Sequence, residues 1–160
     1  METLEDALSL VTARSLRSLC GAESEAVWAI VESDLMKSHR SGAYVNVDSD
    51  QVRMMFKSGS PIWYGTYIFP SDQLIRALKE IATKLSAGGN QVTSLTTIVS
   101  GRSGLLGVAE LKTVWAAIGR VMEPKQWTYG AFHAPEMGEQ IRLSVLVDFP
   151  AVERRLVEVG

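Results

Sequence analysis

Cysteine is nearly missing from this chain. Cys20 stands alone, which excludes an intrachain disulfide and a cysteine-rich zinc site, and it suits a reducing, cytoplasmic setting. Histidine is almost as scarce, with His39 and His133 only. A metal site needs several converging His, Cys or carboxylate ligands, so no metal and no cofactor are expected. Long apolar runs are missing too. The longest, Ala26 to Val31, is far short of the roughly 20 residues that cross a bilayer as a helix. The opening Met1-Glu2-Thr3-Leu4-Glu5-Asp6 is acidic where a signal peptide is basic. An excess of positive charge is also lacking: 16 Lys and Arg stand against 18 Asp and Glu. That balance argues against nucleic acid and anionic membranes as partners. The expectation is a soluble, intracellular protein.

The pattern that is present centres on residues 62–85. Ile62 to Phe69 is rich in β-branched and aromatic residues, which suit a pleated surface. Pro70 stops the strand, and Ser71 is placed to cap a helix. Leu74, Ile75, Leu78, Ile81, Ala82 and Leu85 then recur at three- and four-residue spacing, the period of an amphipathic helix. Lys84 suits its last turn and Gly88-Gly89 its end.

Two helices are expected before this unit. The first starts at Thr3 and carries Leu4, Leu8, Val11 and Leu19, with Gly21 as its stop. The second runs from about Glu23 to Lys37. Tyr44 to Val47 and Val52 to Phe56 read as strands around an Asp48-Ser49-Asp50 turn, followed by the turn Lys57 to Pro61. With Ile62 to Phe69 they form a three-strand antiparallel meander. Beyond it come a strand over 92–99, a helix over 108–122 closed by Pro124, and strands over 127–133 and 140–149 joined as a hairpin. Pro150 begins a terminal helix with Val152, Leu156 and Val159. Residues 1–160 thus read as a single α+β domain, a mainly antiparallel sheet packed against segregated helices.

The chemical candidates are few. Gly101, Arg102, Ser103 and Gly104 open a glycine-spaced loop, ending at Gly107, between a strand and a helix. Backbone N–H groups there can hold an anion, with Arg102 adding charge. The spacing matches neither a dinucleotide fingerprint nor a P-loop, so the plainer reading is a connection. Asp48 with Asp50, and Glu136 with Glu139, are carboxylate pairs expected in solvated turns. No catalytic residue stands out.

Trp63, Tyr67 and Phe69 face one way on the third strand, and Ile62, Tyr64 and Ile68 the other. Both faces need cover, either from helices of the chain or from another subunit. Aromatic residues and methionine are enriched at protein contacts. The composition therefore points to a non-catalytic, self-associating structural or interaction protein. A small assembly protein, viral for example, or a partner-holding chaperone fits, acting as a homo-oligomer with Trp63, Tyr67 and Phe69 near the contact. The alternative is a small-ligand or phosphate-binding domain, an enzyme in one version, built on the Gly101–Gly107 loop.

Overall fold

The computed structural model describes residues 3, 4, 8, 16–19, 25–40, 42–57, 61–86 and 92–148. Five strands form one mixed sheet: β1 (Leu16–Ser18), β2 (Ile62–Pro70), β3 (Val92–Gly101), β4 (Pro124–His133) and β5 (Gln140–Asp148), side by side in the order β1-β2-β5-β3-β4. The β1–β2 and β3–β4 pairs are parallel. Strand β5 runs antiparallel to both β2 and β3. Four strands point one way, and β5, inserted between them, points the other.

Helices cover both faces. On one lie α1 (Glu25–His39) and α2 (Ser49–Lys57), whose Val31, Leu35, Val52 and Met55 pack with Ile62, Tyr64, Ile98, Phe132 and Leu146 of the sheet. On the other lie α3 (Leu74–Ser86) and α4 (Val108–Met122). Their Leu78, Ile81, Leu85, Leu111, Val114 and Ile118 pack on Trp63, Phe69, Leu95, Leu143, Val145 and Val147. The result is an α/β/α layering. The parallel strands β2, β3 and β4 are joined by crossover helices α3 and α4, as parallel pairing requires.

This corrects the expected antiparallel α+β architecture, and three causes explain the difference. First, the stretch read as a strand over 52–56 is helix α2. Asp48 Oδ1 accepts the N–H groups of Asp50 at 3.0 Å and Gln51 at 3.4 Å. The acidic turn is thus a helix cap, and Val52 and Met55 are buried at helical spacing while Met54 is exposed. Second, Tyr44 to Val47 makes no strand of its own. Its backbone joins the sheet through the Val45–Ala131 bridge on the outer edge of β4. Third, β4 and β5 are not a hairpin, because β3 lies between them. Strand β5 belongs at the centre because it buries side chains on both faces: Leu143, Val145 and Val147 on one, Ser144 and Leu146 on the other.

The strands over 62–69 and 92–99 and the helices over 74–85 and 108–122 form as the periodicity implies. Leu4 and Leu8 are helical and buried, but Leu16–Ser18 pairs with β2 as a strand, so the first helix does not continue to Leu19. Cys20, Gly21, the turn over 58–60, Gly88-Gly89 and the terminal helix expected from Pro150 lie outside the described residues. Among the described residues no helix is long and apolar enough to cross a membrane.

The layering assigns neighbouring α3 residues opposite fates. Leu78 is 2% exposed and Ile75 60%. Leu78→Ala is expected to cost about 2–5 kcal/mol in urea unfolding. Ile75→Ala is expected to stay within ~0.5 kcal/mol of the parent, as ordinary surface changes do. Equal losses at the two sites would mean that α3 is rotated on its axis.

Candidate functional site

The chemistry-bearing groups of the fold gather where α1 crosses β5. Asp34 lies in the middle of α1 and is fully buried. A carboxylate there must find partners or pay a heavy desolvation cost. It finds three bonds. Arg142 donates from Nε to Asp34 Oδ2 at 2.8 Å and from Nη2 to Oδ1 at 2.5 Å, a bidentate pair. Ser144 Oγ donates to Asp34 Oδ2 at 2.7 Å. Ser144 Oγ also lies 3.0 Å from Thr66 Oγ1 of β2. The remaining side of Arg142 meets Met137 Sδ at 3.6 Å. One acid thus ties α1 to the central strand, and Ser144 carries the tie to β2. The planar, doubly bonded guanidinium fixes distance and angle together. With three donors from inside the fold on its two oxygens, Asp34 makes this cluster a clamp.

The chain leaving α1 is held just as closely. Asn46 Nδ2 donates to the carbonyls of Ser38 at 3.2 Å and Arg40 at 2.9 Å, capping the C-terminal end of α1. Val45 exchanges both backbone hydrogen bonds with Ala131, at 3.0 and 2.8 Å. The Asp48 N–H reaches Thr128 Oγ1 at 2.6 Å. A side chain at Gly130 would place its Cβ 2.7 Å from Val47 Cγ1 and 2.8 Å from Ser38 Cβ. Glycine is therefore what lets this strap lie against β4. The strap presents Tyr44, 41% exposed, stacked on the His133 ring with centroids 4.6 Å apart. Asp50 projects to solvent beside its partner Arg53.

The glycine-spaced loop is placed differently from an anion cradle. Arg102 turns to the β5 side, where its Nε donates to the Gly138 carbonyl at 3.1 Å and its Nη2 to Glu139 Oε1 at 2.8 Å. At the start of α4 the Gly107 N–H is taken by Glu110 Oε1 at 2.8 Å. The Leu105 and Leu106 N–H groups bond back to the Arg102 carbonyl at 3.0 and 3.1 Å. The Leu105, Leu106 and Gly107 N–H groups and two nitrogens of Arg102 are thus engaged within the chain. Gly101 is the last residue of β3 and accepts the Ala134 N–H at 2.8 Å, while Ser103 and Gly104 are exposed in the turn.

Of the aromatic candidates, Trp63 and Phe69 are buried under α3 and α4, and half-buried Tyr67 packs against the same cluster. The sheet face that carries them is covered within the chain. His133 Nε2 lies 3.2 Å from the Leu106 carbonyl. Glu136 is exposed in the turn between β4 and β5, and Glu139 serves Arg102.

Sequence reasoning passed over Asp34, Arg142, Ser144, Thr66 and Asn46. One signal was available: an acid in the middle of a helix that is otherwise apolar on that side, with Arg142 and Ser144 alternating in a strongly apolar strand.

No protein-family model matches this sequence, and neither does any curated protein. The fold has counterparts among solved structures. A point mutant of FtsZ from M. jannaschii matches with a TM-score of 0.61 and 18% identity, over 73% of this chain and 36% of that one. The empty FtsZ dimer of M. jannaschii gives a TM-score of 0.59 at 17% identity, over 73% of this chain and 35% of that one. CetZ2 from Haloferax volcanii, a GTPgS-bound protofilament, gives 0.51 at 12%, over 73% of this chain and 39% of that one. At these identities the likeness establishes the fold, which is FtsZ/tubulin-like. The chain spans little more than a third of the length of these proteins. The expectation of a non-catalytic structural or interaction protein is corrected here: the fold is shared with proteins of which one binds a nucleotide in its assembled state. Assembly itself is a property of those proteins, one a dimer and another a protofilament.

The buried clamp carries a clear energetic consequence. Asp34→Leu leaves the Arg142 guanidinium unpaired inside the α1–β5 contact. Denaturant unfolding is expected to show a loss of about 3–5 kcal/mol, the usual cost of breaking a buried pair from one side. The double variant Asp34→Leu/Arg142→Met should recover most of that loss, because no lone charge remains. A single variant within ~0.5 kcal/mol of the parent would show that α1 does not depend on the clamp.

Proposed function

We propose that this chain is a building unit of a guanine-nucleotide-linked assembly of the FtsZ/tubulin type, and that it associates with copies of itself. The observation that carries this reading is the five-stranded mixed sheet between two helical layers, superimposable over 73% of the chain on FtsZ at a TM-score of 0.61. Fold alone does not fix function, but two features of the molecule support the reading. The helices and strands are locked to each other by the Asp34–Arg142 pair and by the Asn46 strap, as a unit that transmits load along a polymer requires. Apolar side chains also remain on the outer surface, among them Tyr44, Met54, Ile68 and Tyr129, as contacts between subunits use. In the Gly101–Gly107 loop, the alternative seat for a phosphate, Arg102 and the Gly107 N–H already serve Glu139 and Glu110.

Sedimentation velocity with GTP, GTPγS, GDP and no nucleotide, together with phosphate release, tests this reading. The expected result is a larger species with GTP or GTPγS than with GDP. One unchanged monomer mass under all four conditions, at the high-micromolar concentrations where weak contacts form, would overturn it.

A further inference from the structure

The outer surface of the α3–α4 layer carries a groove of about 260 Å³ between the two helices. Its floor is apolar: Leu78 and Ala82 from α3, Ala117 and Val121 from α4. Exposed Ile75 stands at one end. The charged residues along it are both cationic, Lys79 on the α3 wall and Arg120 on the α4 wall. Both are exposed. Arg76, next to Ile75, faces Glu80 on its own helix at 3.7 Å.

The geometry points to this groove as the docking site of an amphipathic, acidic helix from a partner protein. Three features select that occupant. Apolar positions on α3 fall at residues 75, 78 and 82, and on α4 at 117 and 121, so the floor is a stripe about two helical turns long. That floor suits apolar anchors spaced three and four apart on a third helix. The walls are helices whose main-chain groups are bonded within themselves, so an extended strand would find nothing to pair with, whereas a helix brings its own hydrogen bonds. One cation rises on each side of the stripe, so carboxylates flanking the partner's apolar face meet a positive charge whichever way it lies. Apolar floor and cationic walls together distinguish this site from the scattered exposed residues elsewhere. It lies on the side of the sheet opposite the Asp34 clamp, and the proposal does not rest on nucleotide-linked assembly.

Fluorescence anisotropy with the whole chain tests the proposal. The probe is a labelled peptide of about 14 residues, near the shortest length that holds helix in water. It carries leucine at three- and four-residue spacing and glutamate elsewhere; its control carries lysine in place of glutamate. Saturable binding of the glutamate peptide is expected, with the lysine peptide at least about tenfold weaker. In the double variant Lys79→Glu/Arg120→Glu the preference should reverse. Both residues are exposed, so an unchanged unfolding midpoint will confirm that the variant is folded. Failure of the glutamate peptide to bind, equal binding of the two peptides, or a preference that survives the charge reversal would each overturn the proposal. So would a parent protein that ignores the peptide and instead binds anionic phosphatidylglycerol vesicles or dimerises through Lys79 and Arg120.

Discussion

The placement of β5 governs this molecule. A strand running against its neighbours, with β2 on one side and β3 on the other, must satisfy three demands at once. It completes two hydrogen-bonded ladders, it supplies Leu143, Val145 and Val147 to the α3–α4 side, and it faces α1 with a row that includes Arg142 and Ser144. Those two residues would be a liability in a central strand of a buried sheet, where alternating polarity normally marks a wet face. Asp34 removes the liability by taking both as donors. The helix, in turn, is held in one position because a bidentate guanidinium bond tolerates little sliding. The placement of the helix is thus tied to that of the central strand by one charge pair.

The same constraint reaches outward. Once α1 is fixed, Asn46 closes its carbonyl end and the strap over 42–48 follows the edge of β4 to Asp48, which begins α2. Gly130 supplies the room for that passage. At the opposite end of the sheet, Arg102 joins the loop after β3 to the turn before β5. These two connections are tied to their neighbours by side chains, Asn46 and Arg102, that a surface loop would ordinarily leave in solvent. Such ties raise the free energy of local opening.

The sequence disclosed the parts of the fold that depend on local pattern. Helices α3 and α4 and strands β2 and β3 have one clear period each, bounded by Pro70, Gly107 or Pro124, and those signals survive in the folded chain. What escaped was long-range. Val52 to Phe56 carries an apolar residue at most positions, so periods of 2 and 3.6 fit it about equally. Only the Asp48 cap decides between them, and Asp48-Ser49-Asp50 reads as readily as a turn. Strands β4 and β5 are separated by a short connection, which favours a hairpin on local grounds. Their true separation by β3 depends on burial of both β5 faces, a property no short window displays. The clamp was the least legible feature. Asp34, Arg142, Ser144 and Thr66 come from three elements and look like ordinary solvated residues until the sheet order brings them together.

The glycine-spaced loop shows that residue type alone does not define a site. Gly101, Arg102, Ser103 and Gly104 have the composition of an anion cradle, and they join a strand to a helix as such cradles do. Whether donors are available is a different matter, decided by what lies nearby. Glu110 sits three residues into α4 and satisfies the Gly107 N–H, while Glu139 draws Arg102 across the loop. Two carboxylates, one near in sequence and one distant, thus tie the two ends of the loop to their surroundings. An anion bound by Arg102 Nη2 or by the Gly107 N–H would compete with these carboxylates for the same donors. The acidic residues beside the loop thus shape its contacts as much as the glycines within it.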